Sequence, residues 1–162
     1  LAVIQRRSGS PDEVVSLARG QERDLRSWLY GSTGGPESFE SAVAEACSEV
    51  EATYHIPVDV VVVGAARMSP GLEALVSAVR EAVVNAARHS GAPSVSVYAE
   101  VEVDAVRAFV RDRGSGFDPE AVPSDRQGIT NSIVGRMSRH GGEGVVRSKP
   151  GTGTEAMLTM PL

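Results

Sequence analysis

The sequence is poor in the features that most often reveal a function. It holds a single cysteine, Cys47, in 162 residues. That excludes an internal disulfide framework and a cysteine-ligated zinc site. Aromatic residues make up 4% of the chain, too few for a platform that stacks bases. Basic charge is also short: 16 Lys and Arg against 21 Asp and Glu leave a net charge of −5. Surfaces that bind polyanions carry a clustered basic excess, so no nucleic acid is expected as a partner. No apolar run approaches the ~20 residues of a membrane span, and no signal peptide opens the chain. The expectation is a cytoplasmic piece without membrane contact of its own, which leaves room for an anchor elsewhere in a longer protein. The start at Leu1 rather than Met suggests such a longer protein.

What is abundant is aliphatic. Hydrophobic residues are 41% of the chain and 24 residues are valine, which favours an aliphatic core built on a substantial sheet. The length suits one domain of ~100–200 residues with a short appendage. The appendage is expected at residues 1–30. Leu1 to Arg7 reads as the tail of one helix. Ser10-Pro11-Asp12-Glu13 then reads as the capped start of another, with Ser10 as N-cap and Pro11 in the first turn. Val14, Ala18, Gln21, Leu25 and Trp28 follow at spacings of four, three, four and three, the seam of a coiled coil or bundle. An ordinary amphipathic helix has the same look over so short a stretch. Residues 31–36, Gly-Ser-Thr-Gly-Gly-Pro, read as a linker, and residues 37–162 as the main domain.

Within the main domain, Ser38 to Tyr54 has helical periodicity. Val58 to Val63 is a nearly unbroken valine run, predicting a strand buried on both faces. Gly71 to His89 is the clearest helix, with Leu72, Leu75, Val76, Val79, Val83 and Ala86 on one stripe. Ser94 to Val101 alternates with period two, and Val106 to Arg111 follows it as the second arm of a hairpin. Asp112 to Gln127 reads as a loop and Gly128 to His140 as a helix. Glu143 to Ser148 and Thr154 to Met160 read as strands around a turn. This layering predicts an α+β fold, a two-layer sandwich with a mixed sheet and helices on one face.

Four features could carry chemistry. Ser77, Glu81 and Asn85 fall at i, i+4 and i+8 on the long helix, away from its apolar stripe, with Arg88 and His89 at its end. A carboxylate beside a carboxamide could serve as a base next to a hydrated Mg²⁺, although a solvated helix face looks alike. Asp112-Arg-Gly114-Ser-Gly116 ends a strand in an acid followed by two glycines, which permits a tight turn or a close approach to a ligand. It is neither a P-loop nor a dinucleotide fingerprint, and a surface turn has the same composition. Gly128-Ile129 sits at an expected helix start, a place suited to phosphate. Gly151-Thr-Gly153-Thr154 leads into the last strand, as any hairpin turn might be built.

The order of these features resembles a family: the ATP-binding domain of sensor histidine kinases, whose wider fold is shared with DNA gyrase B, Hsp90 and MutL. Glu81-Ala-Val-Val-Asn85-Ala-Ala-Arg88-His89 is similar to its N box. Asp112-Arg-Gly114-Ser-Gly116 is similar to the G1 box, Gly128-Ile129 to a shortened G2 box, and Gly151-Thr-Gly153-Thr154 to the closing glycine motif. The likeness covers about Pro36 to Leu162. The short stretch between Gly116 and Gly128, and the run from Ile129 to Gly142, resemble the NarX/DesK-type subgroup, in which a two-helix dimerisation and phosphoacceptor hairpin precedes the ATP domain.

The resemblance implies roles. Asp112 would accept from the adenine amino group, with Thr154 in support through a water, while Gly114, Gly116 and Gly153 let the chain pass close to the nucleotide. Asn85 would ligate Mg²⁺ on the phosphates, Arg88 or His89 would touch phosphate, and Gly128 and Ile129 would close over it. Glu81 would be the general base or the polarising carboxylate for the phosphoacceptor imidazole. The partners implied are ATP, a LuxR-like response regulator, and a second copy of the full-length protein as a homodimer. No histidine precedes His55, so the phosphoacceptor is expected to be missing from this stretch, and His55 and His140 are expected in exposed or capping roles. Two other readings stay open: an anti-sigma-factor-type serine kinase of the same fold, and a non-catalytic nucleotide-binding module.

Overall fold

The computed structural model describes residues 37–121 and 124–162, and for residues 124–129 the backbone alone. The expected hairpin over residues 1–30, its seam and the linker at 31–36 lie outside the described residues.

Helix α1, Phe39–Tyr54, starts where the Ser38 hydroxyl accepts from the Ser41 N–H at 3.2 Å and ends at His55, whose left-handed backbone (φ 55°) closes the helix. It buries Phe39, Val43, Cys47 and Val50, the face given by the apolar spacing. Strand β1 is Val58–Val63. Helix α2, Pro70–His89, has Ser69 as N-cap and Pro70 in its first turn, where a missing N–H costs nothing. Its buried side runs from Leu72 through Leu75, Val79 and Val83 to Ala86, widened by Ala74, Ala78 and Ala82. Small residues there let the helix lie close to its neighbours. Strands β2, Val95–Val101, and β3, Ala105–Asp112, form the expected hairpin. Helix α3, Ser124–Arg139, and strands β4, Glu143–Lys149, and β5, Gly153–Pro161, complete the domain.

The sheet order is β1-β2-β3-β5-β4. β1 runs parallel to β2 and every other neighbour is antiparallel. Val95, Val97, Ala99, Val106, Ala108, Val110, Ala156, Leu158 and Met160 point to one side and are buried with the helices. The mixed sheet with helices on that side is the expected α+β sandwich. Among the described residues no helix covers the opposite side. There the register aligns Val61, Tyr98, Phe109, Met157 and Val145 in a row across all five strands.

Two expectations are corrected. β1 is not buried on both faces: it is the edge strand, and Val61 and Val63 are 54% and 45% exposed. A valine run reports β-propensity, but only the strand order decides whether both faces are covered. The helix expected from Gly128 begins at Ser124. Ser124-Asp-Arg-Gln contains no breaker after Pro123, so the helix forms at once. Gly128 is therefore the fifth residue of α3, beyond the first four N–H groups that a helix leaves open for a ligand.

Candidate nucleotide-binding site

A pocket opens between the C-terminal half of α2, the inner face of the sheet and the middle of α3. Its walls are aliphatic: Ala82, Ala86, Val110, Ile133, Val146 and Ala156. Its polar groups are few and convergent: Asn85, His89, Asp112, Ser115, Thr130 and Thr154. A mostly apolar slot with a handful of placed polar groups suits a flat heteroaromatic ring.

Asp112, the last residue of β3, is buried. Its Oδ1 accepts from the Gly114 N–H at 2.9 Å, and the backbone of Thr154, its cross-strand partner, bonds to it as well. Burial is the larger effect and pushes the carboxyl above the usual carboxylate range, while the Gly114 and Thr154 N–H groups pull it back. A buried carboxylate with remaining acceptor capacity at the end of an apolar slot is built to take a donor from a ligand.

The chain after Asp112 is fixed on three sides. The Ser115 N–H donates to the Ser90 carbonyl at 2.8 Å, the Gly151 N–H to the Ser115 carbonyl at 2.7 Å, and the Phe117 N–H to Ser148 Oγ at 2.9 Å. Two glycines make this possible. A Cβ at Gly114 would run into the carbonyl of Ser90, and one at Gly116 into the carbonyl of Lys149. Gly116 also has φ +58°, which side-chain-bearing residues rarely adopt. Gly153 opens β5 beside Asp112, and its carbonyl lies 3.1 Å from Ser148 Oγ.

On α2, Asn85 lines the pocket and Glu81 stands one turn earlier, both half-buried. Glu81 is engaged by α3. Arg136 Nη2 and Ser132 Oγ lie 3.3 and 3.4 Å from its Oε2. The Arg136 Nε is buried without a partner among the described residues. His89 lines the pocket mouth, whereas Arg88 is exposed and outside the lining. Of Gly128 and Ile129 only the backbone in α3 is described. His55 and His140 sit at helix ends and are exposed, His140 with its Nδ1 3.0 Å from the Arg136 carbonyl.

Sequence reasoning missed Ser90, Ser132, Arg136 and Ser148. Ser148 had a signal: a turn between two strands makes Ser148 and Thr154 register partners. Arg136 and Ser132 lie in the run that resembles the NarX/DesK type, but nothing local says which face of α3 meets α2.

Mg²⁺ can be tested against these residues. Among the described residues no group of three or more His, Cys, Asp or Glu could hold a metal. A resident metal cage is thus not available, but a cation carried in on phosphates, keeping its waters and taking one carboxamide oxygen, fits Asn85.

Comparison with known proteins agrees with the geometry. Residues 72–162 match the family model described as "Histidine kinase-, DNA gyrase B-, and HSP90-like ATPase". Sensor histidine kinase LiaS of Bacillus subtilis is 36% identical over 84 residues, covering 52% of this chain and 23% of LiaS. Signal transduction histidine-protein kinase/phosphatase DegS of the same organism is 32% identical over 100 residues, covering 59% of this chain and 26% of DegS. The matched part is thus about a quarter of these relatives' length. Among solved structures, the ATP-binding domain of PrrB from Mycobacterium tuberculosis superposes with a TM-score of 0.60 at 22% identity, over 76% of this chain and 93% of that one. The histidine kinase domain of the Erythrobacter litoralis EL346 blue-light activated kinase gives 0.60 at 18% identity, over 96% and 76%. The chain belongs to the histidine kinase-, DNA gyrase B- and HSP90-like ATPase family.

Proposed function

We propose that this chain is the ATP-binding catalytic region of a two-component sensor histidine kinase of the NarX/DesK type. The full protein moves the γ-phosphoryl of ATP to a histidine and from there to an aspartate of a LuxR-like response regulator. The reading rests above all on Asp112, a buried carboxylate closing an aliphatic slot. The names of LiaS and DegS support it. Residues 1–30 are then the end of a dimerisation hairpin, residues 31–36 the linker to the ATP domain, and the full-length protein a cytoplasmic-facing homodimer. No helix among the described residues is long and apolar enough to cross a membrane.

In this reading Asp112 accepts from the adenine amino group and the aliphatic walls hold the ring. Gly114, Gly116 and Gly153 admit the nucleotide close to the backbone. Asn85 offers its carboxamide oxygen to Mg²⁺, whose charge offsets that of the phosphates. His89 or Arg88, at the end of α2, touches the phosphates, and Gly128 and Ile129 close over them from α3. Glu81 accepts a hydrogen bond from one imidazole nitrogen of the acceptor, so that the other attacks phosphorus while the bond to the β-phosphate oxygen breaks. Such chemistry needs positioning and charge neutralisation more than covalent help.

The test has two arms. A non-hydrolysable ATP analogue with Mg²⁺ is titrated into the chain by calorimetry, and labelled ATP is supplied together with a separate histidine-bearing acceptor hairpin. Saturable binding and an acid-labile phosphate on the acceptor support a histidine kinase. Acid-stable phosphate points to the serine-kinase reading, and binding without transfer to a nucleotide-binding module. No binding at millimolar nucleotide refutes the proposal.

A further inference from the structure

Ser148 lies on β4, behind the nucleotide pocket. Its hydroxyl is the meeting point of three segments. It accepts from the Phe117 N–H at 2.9 Å, lies 3.1 Å from the Gly153 carbonyl, and lies 2.8 Å from the Thr154 hydroxyl, where either oxygen can be the donor. Thr154 lines the pocket beside Asp112, its partner across β3 and β5, while Ser148 is outside the pocket lining.

Counting protons limits what this cluster can do. A serine hydroxyl has one hydrogen. If Ser148 gives it to the Gly153 carbonyl, Thr154 must give its own to Ser148, and Thr154 then presents only lone pairs to the pocket. If Ser148 gives it to Thr154, the Thr154 hydrogen is released to point into the pocket. The first arrangement puts two acceptors, Asp112 and Thr154, side by side. The second puts an acceptor beside a donor.

The edge of adenine is a donor, the exocyclic amino group, beside an acceptor, the ring nitrogen N1. Only the second arrangement complements it. Guanine offers the reverse order, an acceptor at O6 and a donor at N1, and meets a fixed carboxylate in the wrong place.

We propose that Ser148 is a positioning residue for base recognition: by donating to Thr154 it turns the Thr154 hydroxyl into the donor that reads N1 of adenine directly. The proposal rests on the reading of this pocket as an adenine site and adds a residue that acts from behind it. The Phe117 N–H strengthens the device, since it occupies one acceptor position of Ser148 Oγ and leaves the hydrogen to be shared between Gly153 and Thr154.

The test compares two ligands in calorimetry with the 162-residue chain: a non-hydrolysable ATP analogue and its 1-deaza counterpart, in which C–H replaces N1. Wild type is expected to prefer the first by about tenfold, the scale of one net hydrogen bond. Ser148→Ala is expected to bring that ratio to within about twofold of unity, Thr154→Val to do the same, and the double variant to lower it no further. Ser148→Thr, which keeps the hydroxyl, is expected to retain the preference. A Ser148 that only braces the hairpin weakens both ligands by one factor. An unchanged ratio in Ser148→Ala, or in Ser148→Cys should the alanine variant not fold, overturns the proposal while leaving the adenine site intact. A wild type that binds neither ligand overturns the adenine reading itself.

Discussion

Replacing Asp112 by Asn alters one atom and tests the recognition scheme from both sides. Asp112 accepts from two backbone N–H groups, those of Gly114 and Thr154. Asn has one acceptor oxygen, so one of these donors faces an NH₂ group. An unsatisfied buried donor costs about 1–3 kcal/mol. The same change removes a buried charge, whose desolvation already raises the carboxyl above its normal range. The two effects oppose each other, and the variant is expected to unfold within a few degrees of wild type. Binding is different. Adenine loses a charge-assisted hydrogen bond worth about 1.5–3 kcal/mol, about 10- to 150-fold in affinity. Guanine gains, because an amide donor can face O6 where a carboxylate left two acceptors opposed, a relief of about 1–3 kcal/mol. The preference for ATP over GTP should fall by about two to four orders of magnitude. Calorimetric titration with non-hydrolysable ATP and GTP analogues in the presence of Mg²⁺ measures the ratio, and thermal unfolding under the same conditions verifies the fold. A folded Asp112→Asn protein with the wild-type ratio would refute the argument.

Other expectations follow from the same geometry. The folded carboxyl of Asp112 lies above its unfolded value, so its contribution favours the folded state in acid and is lost as pH rises through the folded value. Thermal unfolding across the acid range should therefore show a component that Asp112→Asn removes. Nucleotide binding runs the other way, since adenine needs the ionised form: affinity should drop as pH falls through the raised value, with protons released on binding. Calorimetry in buffers of different ionisation heat detects that release, and its absence contradicts the assignment. Arg136→Gln leaves Glu81 with the Ser132 contact alone among the described residues. Transfer to a supplied acceptor should slow by about tenfold or more while nucleotide affinity stays within twofold of wild type; equal losses in both would mean that the pair only joins α2 to α3. Gly116→Ala combines a left-handed backbone with a collision at the Lys149 carbonyl. Strain of about 1–2 kcal/mol and overpacking of about 1–3 kcal/mol should lower the unfolding temperature by many degrees, and a variant melting with wild type would show that the loop can move aside.

Much of the fold could be read from local pattern. The 3–4 spacing of Leu72, Leu75, Val79 and Val83 marked α2 and its buried side, because a helix brings those positions onto one stripe whatever surrounds it. The alternation of Val95, Val97 and Ala99 marked the buried face of β2 for the corresponding reason at period two. The starts read from apolar spacing at Ser38 and Gly71 fell within one residue of the helices, and the capping serines Ser38 and Ser69 are local signals of those boundaries that the spacing left unused. Where a glycine was the only cue, as at Gly128, the boundary was misplaced by four residues. The pocket residues Asp112, Asn85 and Thr154 were legible because the order of short motifs resembles a family, not because their spacing implies one cavity. Ser132, Arg136 and Ser90 lie within those stretches, yet nothing local gave them a role.

The sequence by itself determined most of the helices and strands of residues 37–162 and the α+β layering, since these depend on residues close together in the chain. Tertiary structure alone decided what depends on residues far apart. It placed β1 at the edge and so exposed Val61 and Val63. It set Asp112, Thr154 and Ser148 in one register across three strands, with 42 and 36 positions of chain between the first and the other two — separations at which no local rule operates. It brought Arg136 to Glu81 across 55 positions. Strand pairing and helix packing are chosen by the burial of the whole core, so a contact between distant polar groups becomes visible only once that burial has fixed which faces meet.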